Sequence, residues 1–327
     1  MRSTLSFSTP THFVNPNYWS IKMQHIVLGH HKDQHSVYMM EALKQRGAEA
    51  HLLESHDFPR SMQLAFSPST GDGHLVLKDG QKLRFDQVQS VYWRNFCGVS
   101  DESTKKNFTS IDDIAARDSM ACIRTWFELN NQTVWANSWK AFQHHQEKPL
   151  QLWKVKNLGI NIPKTFVGND LDEIRRMYLA LGKSIFKPVF GGAQTEILTE
   201  EHLESSRVRD ALAKAPITVQ EFIEGTNIRT YVIGDRVFSS ELRSDCADFR
   251  EDKGMEIINI DTPDAIIEQS LQVAKSLHLN WTAIDWRRDK SGNYYFLEAN
   301  PSPMFIGFQN RSGIPIGEYL IDLMMQK

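Results

Sequence analysis

The chain has 327 residues, 41% of them hydrophobic and 24% charged, an ordinary globular composition with room for two or three packed units. A formal net charge of -3 offers no basic stripe for a phosphate backbone, which turns the expectation away from nucleic acid. No apolar run approaches the roughly 18 to 20 residues of a membrane span, and the N-terminus lacks a signal-peptide core, so a cytoplasmic protein without a membrane partner is expected. Cys97, Cys122 and Cys246 lie far apart without CxxC spacing; that fits unlinked thiols better than disulfides or a zinc site.

Residues 1–22 are polar and aromatic without periodicity and read as an unstructured leader, with Met23 an alternative start. From His25 to Leu28 a strand is predicted, then a His- and Asp-containing loop, then a helix through Val37, Met40 and Leu43 closed by Arg46-Gly47. Ala48–Leu53 reads as a second strand, Gly73–Leu77 and Lys82–Phe85 as a hairpin around Asp79-Gly80, and Ser90–Trp93 as a buried strand. A long amphipathic helix over 114–130 and a short strand over 133–136 close an α/β unit at 23–137. A helix over 141–158 then stops at Gly159 before Ile162-Pro163-Lys164-Thr165. Helix 170–181, strand 184–188 and helix 199–215 complete a central α+β unit at 138–215. The C-terminal unit at 216–327 alternates strands (218–222, 229–233, 236–241, 282–287, 294–298) with a helix over 263–277 and a closing helix from Pro315.

The segment from Asp285 to Pro301 reads as two antiparallel strands joined by a turn. Residues two apart on a strand face the same way, so Glu298 and Asn300 project together, and the hairpin can set Asp285 opposite them. Three hard oxygen donors of this kind suit Mg²⁺ with phosphate in its remaining positions, although a solvated hairpin would look the same. Upstream, Lys187 ends a strand just before Val189-Phe190-Gly191-Gly192, where a cation can reach phosphates beneath a glycine loop. Lys148 lies in the helix before Ile162-Pro163; each lysine by itself equally reads as a surface charge. Thr218 to Gly225 is an apolar strand entering an acidic loop, able to offer backbone groups to adenine and Glu224 to ribose, or to serve simply as a core strand.

The order of these motifs resembles the ATP-grasp superfamily over about residues 138–325, and within it the RimK-type ligases. Arg84-Phe85-Asp86, Val91-Tyr92-Trp93-Arg94, Trp135-Ala136-Asn137 and Lys148-Pro149-Leu150-Gln151-Leu152 are similar to the microviridin-type (graspetide) peptide ligases, extending the resemblance to the first unit. It implies an ATP-grasp fold behind an N-terminal α/β pre-ATP-grasp domain, with ATP and two Mg²⁺ ions as cofactors. Lys148 and Lys187 would contact phosphates. Gln220, Glu221, Phe222 and Ile223 would form the adenine hinge, with Glu224 beside it. Asp285, Glu298 and Asn300 would hold the metal, and Arg229, Arg243 and Arg250 would line the acyl-phosphate and acceptor side. Asn227 stands where the family often carries Asp, and Arg94-Asn95 where it carries an arginine pair.

The reaction implied is conversion of a carboxylate into an acyl phosphate, followed by attack of an amine or hydroxyl, with cations managing the negative charge. No protein nucleophile stands out. His30, His31 and His35 in the first loop and His144-His145 in a helix read as solvated or structural rather than catalytic or metal-binding. The expected substrate is a ribosomal precursor peptide with a leader, joined at its side chains by an ester or amide. RimK-type addition of an amino acid and a non-catalytic ATP-binding module are the alternatives. A homodimer is compatible with the sequence.

Overall fold

The computed structural model describes residues 23–96, 98–99, 111–129, 132–190, 195–204, 206–243 and 254–326. The N-terminal unit runs β1 (Gln24–Leu28), α1 (Gln34–Gln45), β2 (Glu49–Leu53), β3 (Gln63–Phe66), β4 (Gly73–Val76), β5 (Lys82–Arg84), β6 (Val88–Trp93), α2 (Ile111–Leu129) and β7 (Val134–Ala136). Four of these strands form a parallel sheet in the order β2-β1-β6-β7. Strand β1 is buried at every position, as an interior strand covered on both faces must be. Trp93, Trp126, Phe127 and Trp135 fill the layer between this sheet and α2. The hairpin predicted around Asp79-Gly80 is present as β4–β5, with a third strand, β3, that the residue pattern did not suggest.

The central unit comprises α3 (Trp139–Gln146), α4 (Lys148–Asn157), β8 (Thr165–Gly168), α5 (Leu171–Leu181), β9 (Ser184–Pro188), β10 (Glu196–Ile197), α6 (Glu200–Glu204), α7 (Ser206–Lys214) and β11 (Ile217–Glu221). One helix was expected over 141–158, and two are found. Glu147 leaves the helical region (φ -101°, ψ 61°), and Pro149 falls in the first turn of α4. Proline lacks the N–H that a helix interior requires but is well placed in a first turn, where that N–H has no partner. Lys148 therefore leads a helix instead of lying inside one. The expected boundary at 215/216 also assigned the next strand to the C-terminal unit, whereas β11 pairs with β8 and β9 in the antiparallel sheet β10-β9-β11-β8. Alternation puts Phe166, Phe186 and Val219 on one face, against α5–α7, and Thr165, Lys187, Thr218 and Gln220 on the other.

The C-terminal unit follows with β12 (Gly225–Ile233), β13 (Arg236–Arg243), β14 (Glu256–Ile260), α8 (Asp264–Ser276), β15 (Trp281–Asp289), β16 (Tyr294–Asn300), α9 (Ile306–Ser312) and α10 (Ile316–Met325). Its antiparallel sheet has the order β14-β13-β12-β15-β16. One face, with Ile228, Val232, Ile284, Trp286 and Phe296, packs on α8 and α4. The other carries Tyr231, Ile233 and Ala283 into a core shared with α10, α9, α1 and Tyr92 of β6, so the first and last units are joined by buried apolar surface. The fit is close at Gly317, where a Cβ would meet the Tyr38 hydroxyl at 2.3 Å. Among the described residues no helix is long and apolar enough to cross a membrane.

A polar pin crosses the same junction. The buried imidazole of His35 accepts backbone N–H from Phe305 (3.0 Å) and Ile306 (3.3 Å) at Nε2. Burial, with the Arg94 guanidinium adding to it and Asp33 opposing, pushes the imidazole down to about 4. A histidine depressed in the fold takes up its proton more readily when unfolded. Its contribution is therefore intact above pH 6.5 and is lost progressively as pH falls from 6.5 toward about 4. We expect a stability loss approaching about 3 kcal/mol across that window from this residue. Urea unfolding of His35→Gln over the same range should show a visibly flatter acid limb, and a limb identical to that of the parent chain would disprove the assignment.

Candidate active site

The β15–β16 hairpin forms because Asp289 organises its turn. The carboxylate accepts N–H from Ser291 (2.9 Å) and Asn293 (2.8 Å), while Gly292 supplies the left-handed backbone (φ 86°). The register sets Asp285 directly opposite Glu298 and Ala283 opposite Asn300, with an irregularity after Asp285. Two carboxylates facing each other on paired strands repel unless cations compensate, and both cations are present. Arg229, opposite Asp285 on β12, donates from Nε (2.8 Å) and Nη2 (2.9 Å) to its two oxygens. Lys148, at the head of α4, donates to Glu298 Oε2 at 2.5 Å.

Arg229, Asp285 and Glu298 thus form one row across three strands, closed at its edge by Lys148. Burial favours the neutral form of Glu298, but Lys148 first and Lys187 next outweigh it and hold the carboxyl below its ordinary value. Lys187 lies on the polar face of the central sheet. Lys187 itself donates to Gln220 Oε1 (3.3 Å), and the buried Gln220 amide passes on to Thr165 Oγ1 (2.9 Å).

Between the two sheets, residues 222–224 connect β11 to β12. Glu221 is tied at both backbone and side chain to Lys164. The Phe222 ring has Lys183 Nζ at 4.1 Å and the Arg287 guanidinium at 5.6 Å from its centre. Arg287 donates to the Ile223 carbonyl (2.8 Å) and to Asn227 Oδ1 (2.7 Å), fixing the connection against the sheet. Glu224 is exposed and paired with Lys290 (3.0 Å), which holds its carboxyl below the ordinary value.

The edge strand β16 is held by a side chain acting as a further strand. The buried Gln151 amide donates to the Ala299 carbonyl (3.0 Å) and accepts the Ala299 N–H (3.1 Å), gripping the residue between Glu298 and Asn300. Asn137 does the same for β15 and the following loop: its amide meets Trp281 N–H and C=O, Asn280 N–H and the Pro301 carbonyl. Asn300 Oδ1 accepts Ser302 N–H (2.9 Å), and Arg94 joins Ser302 to Asp33 at the start of α1. Replacing Gln151 with Leu leaves both Ala299 groups unpaired, a cost of about 1–3 kcal/mol. We expect a lower thermal midpoint and about a tenfold or greater loss of turnover through misplaced carboxylates; parent-like values in melting and turnover assays would refute this positioning role.

The structure therefore brings together Lys148, Lys187, Gln220, Arg229, Asp285, Glu298 and Asn300. It does not bring Arg243 with them. Arg229 pairs with Ser240, so alternation sends Glu241 and Arg243 to the opposite face, where Arg243 and Arg288 both bind Glu241 at 2.8 Å. Arg250 and the glycine loop at 191–194 lie outside the described residues. Gln151, Asn137, Arg94 and Arg287 were not singled out for a role at the site from the sequence. Arg287 was within reach of the alternation rule, being two residues from Asp285; the other three act through folded neighbours more than 100 residues away in the case of Gln151, Asn137 and Arg94.

Two domain families match the chain: the RimK-like ATP-grasp domain over residues 146–324 and the MvdD pre-ATP-grasp domain over residues 25–143. A probable alpha-L-glutamate ligase of Histophilus somni is 27% identical over 193 residues, 55% of this chain and 64% of that protein, so the chain spans under two thirds of the length of such curated relatives. The solved structure of the ATP-grasp ligase PsnB complexed with minimal precursor, Mg and ADP is 28% identical, covers 92% of this chain and 97% of its own, and superposes with a TM-score of 0.77. The macrocyclase MdnC of Microcystis aeruginosa, bound with precursor peptide MdnA, shares the fold at 21% identity, with 93% and 100% coverage and a TM-score of 0.79.

Proposed function

This chain belongs to the RimK-like ATP-grasp family, and from that premise we propose that it uses ATP to activate a carboxylate as an acyl phosphate and joins it to an amine or hydroxyl on a ribosomally made precursor peptide. The observation that carries the peptide substrate is the extent of the likeness. Similarity to PsnB, solved with a precursor, runs through the N-terminal unit, whereas the glutamate ligase matches little more than half of the chain.

Asp285, Glu298 and Asn300 offer an all-oxygen donor set on one face of a hairpin, with each carboxylate paired to a cation; these donors fit magnesium, and we assign two ions to them. Magnesium bound there neutralises charge on the phosphates during transfer. Lys148 and Lys187 hold phosphate oxygens. Gln220 to Ile223 receive the adenine, with Glu224 near the ribose. Arg229, together with Arg250, steadies the transferring phosphoryl group and then the oxyanion formed when the acceptor attacks. The acyl-phosphate bond breaks as the ester or amide forms, phosphate leaves with the electron pair, and the acceptor proton is released. Arg243 has no part in this assignment. A cytoplasmic location and a leader-bearing peptide substrate belong to the same proposal.

Incubation with ATP, Mg²⁺ and candidate precursor peptides separates the readings by mass spectrometry. Peptide ligation removes the mass of one water per bond with matching phosphate release, whereas amino-acid addition raises the mass. ATP binding without phosphate release under any peptide or amino-acid condition would sink the ligase reading in favour of a binding module.

A further inference from the structure

Two of the first-loop histidines, His30 and His31, read from the sequence as solvated or structural, gather with His56 around a buried acid. Glu54, 5% exposed, follows β2, and His30 and His31 follow β1 on the neighbouring strand. One nitrogen each of His30 and His56 and a carboxylate oxygen of Glu54 lie within 4.8 Å of one another. The His30 ring lies 4.3 Å from that of His31 and 5.6 Å from that of His56. This is the carboxyl end of parallel strands, where open α/β sheets present their ligand-binding loops.

We propose that His30, Glu54 and His56 form a binding site for a borderline divalent metal ion, Zn²⁺ being the natural occupant, separate from the row of oxygens at Asp285 and Glu298. Two imidazoles and a carboxylate match the ligands of zinc and disfavour magnesium, which takes oxygen. Bond lengths of about 2.0–2.2 Å to zinc place tetrahedral ligand atoms about 3.3 Å apart. The three side chains thus close inward by about an ångström; His30 stands in the loop after β1, and His56 in a single 3-10 turn, Ser55–Asp57. The carboxylate is already oriented, because His31 donates to Glu54 Oε1 from its backbone N–H (3.0 Å) and its Nδ1 lies 2.7 Å away. Ligating carboxylates are commonly fixed by such hydrogen bonds.

In the structure the charge of Glu54 is met by Lys78, whose Nζ lies 2.9 Å from Oε2 and 3.2 Å from Asp57. The Lys78 side chain is 55% exposed and can swing into solvent, so ammonium and metal compete for one carboxylate. Binding at His30 Nε2 also moves its proton to Nδ1, giving up an exposed contact from Lys32 N–H (3.0 Å). The lysine therefore acts as a built-in competitor whose removal favours the ion.

Untagged full-length protein titrated with Zn²⁺ against a chromophoric chelator, with Mg²⁺ in large excess, tests the assignment. Wild type should bind one equivalent at neutral pH, about tenfold or more weaker in His30→Ala and in His56→Ala, and weaker again once the medium is acid enough to protonate imidazole. Lys78→Met should bind several-fold tighter. His144→Ala, at a histidine pair elsewhere, should leave the affinity unchanged, and circular dichroism in zinc-free buffer checks each fold. Absence of binding by wild type, wild-type affinity in both histidine variants, or no gain in Lys78→Met would each overturn the site. The Lys78 variant keeps the test decisive if a histidine variant fails to fold.

Discussion

Glu298→Gln is expected to lower ATP-dependent ligation by two or more orders of magnitude while leaving the thermal midpoint within a few degrees of the parent. Two reasons give the size of the effect. The carboxylate is a proposed metal ligand, and an amide supplies neither its charge nor its second anionic oxygen. It is also the partner of Lys148, so the substitution releases the cation proposed to meet phosphate from its position at the head of α4. The fold should survive because Glu298 and Lys148 remain 26% and 23% exposed, so each finds water when parted, and because removing one of two facing carboxylates relieves repulsion. Phosphate release and product mass are the measurements. Full turnover in this variant with magnesium as the only metal would refute the metal assignment.

Arg229→Met is expected to be the most damaging single change for stability at the site. Asp285 is 9% exposed, and the guanidinium satisfies both of its oxygens. Removing one partner of a buried ion pair strands the other charge, at a cost of about 3–5 kcal/mol. Asp285→Asn alone leaves the reverse problem, a buried guanidinium held charged above its usual range by the carboxylate that has been lost, against the opposing effect of burial. The double variant Arg229→Met, Asp285→Asn should therefore be more stable than either single variant while remaining inactive. Denaturant unfolding of the four proteins completes the cycle. Additive losses would show that the two side chains do not act as a pair.

Much of this site was legible because strand alternation is a strict rule. Once residues 285–301 read as a hairpin, Glu298 and Asn300 had to share a face, and the β15–β16 register adds only that Asp285 lies opposite Glu298. Arg243, which the resemblance put on the acceptor side, faces away from the row because parity between strands depends on their connection. The two-residue turn Gly234-Asp235 pairs Ile233 with Arg236, which fixes Arg229 opposite Ser240 and turns Arg243 away. Recognised as a tight turn, that dipeptide would have excluded Arg243. Pro149 likewise marked the start of α4, and with it the place of Lys148.

The sequence by itself determined most of the strands and helices, the family resemblance and the candidate oxygen donors, because these rest on local periodicity and spacing along the chain. Only the tertiary structure decided how the donors are neutralised and held. Lys148 reaches Glu298 across 150 residues, Gln151 grips Ala299 across 148, and Arg94 reaches Ser302 across 208. It also decided that His30, read as a solvated loop histidine, stands beside a buried carboxylate with His56. The physical reason is common to all of them. Pairing between distant side chains is set by how sheets and helices pack, and periodicity reports which face a residue occupies but not what lies opposite it.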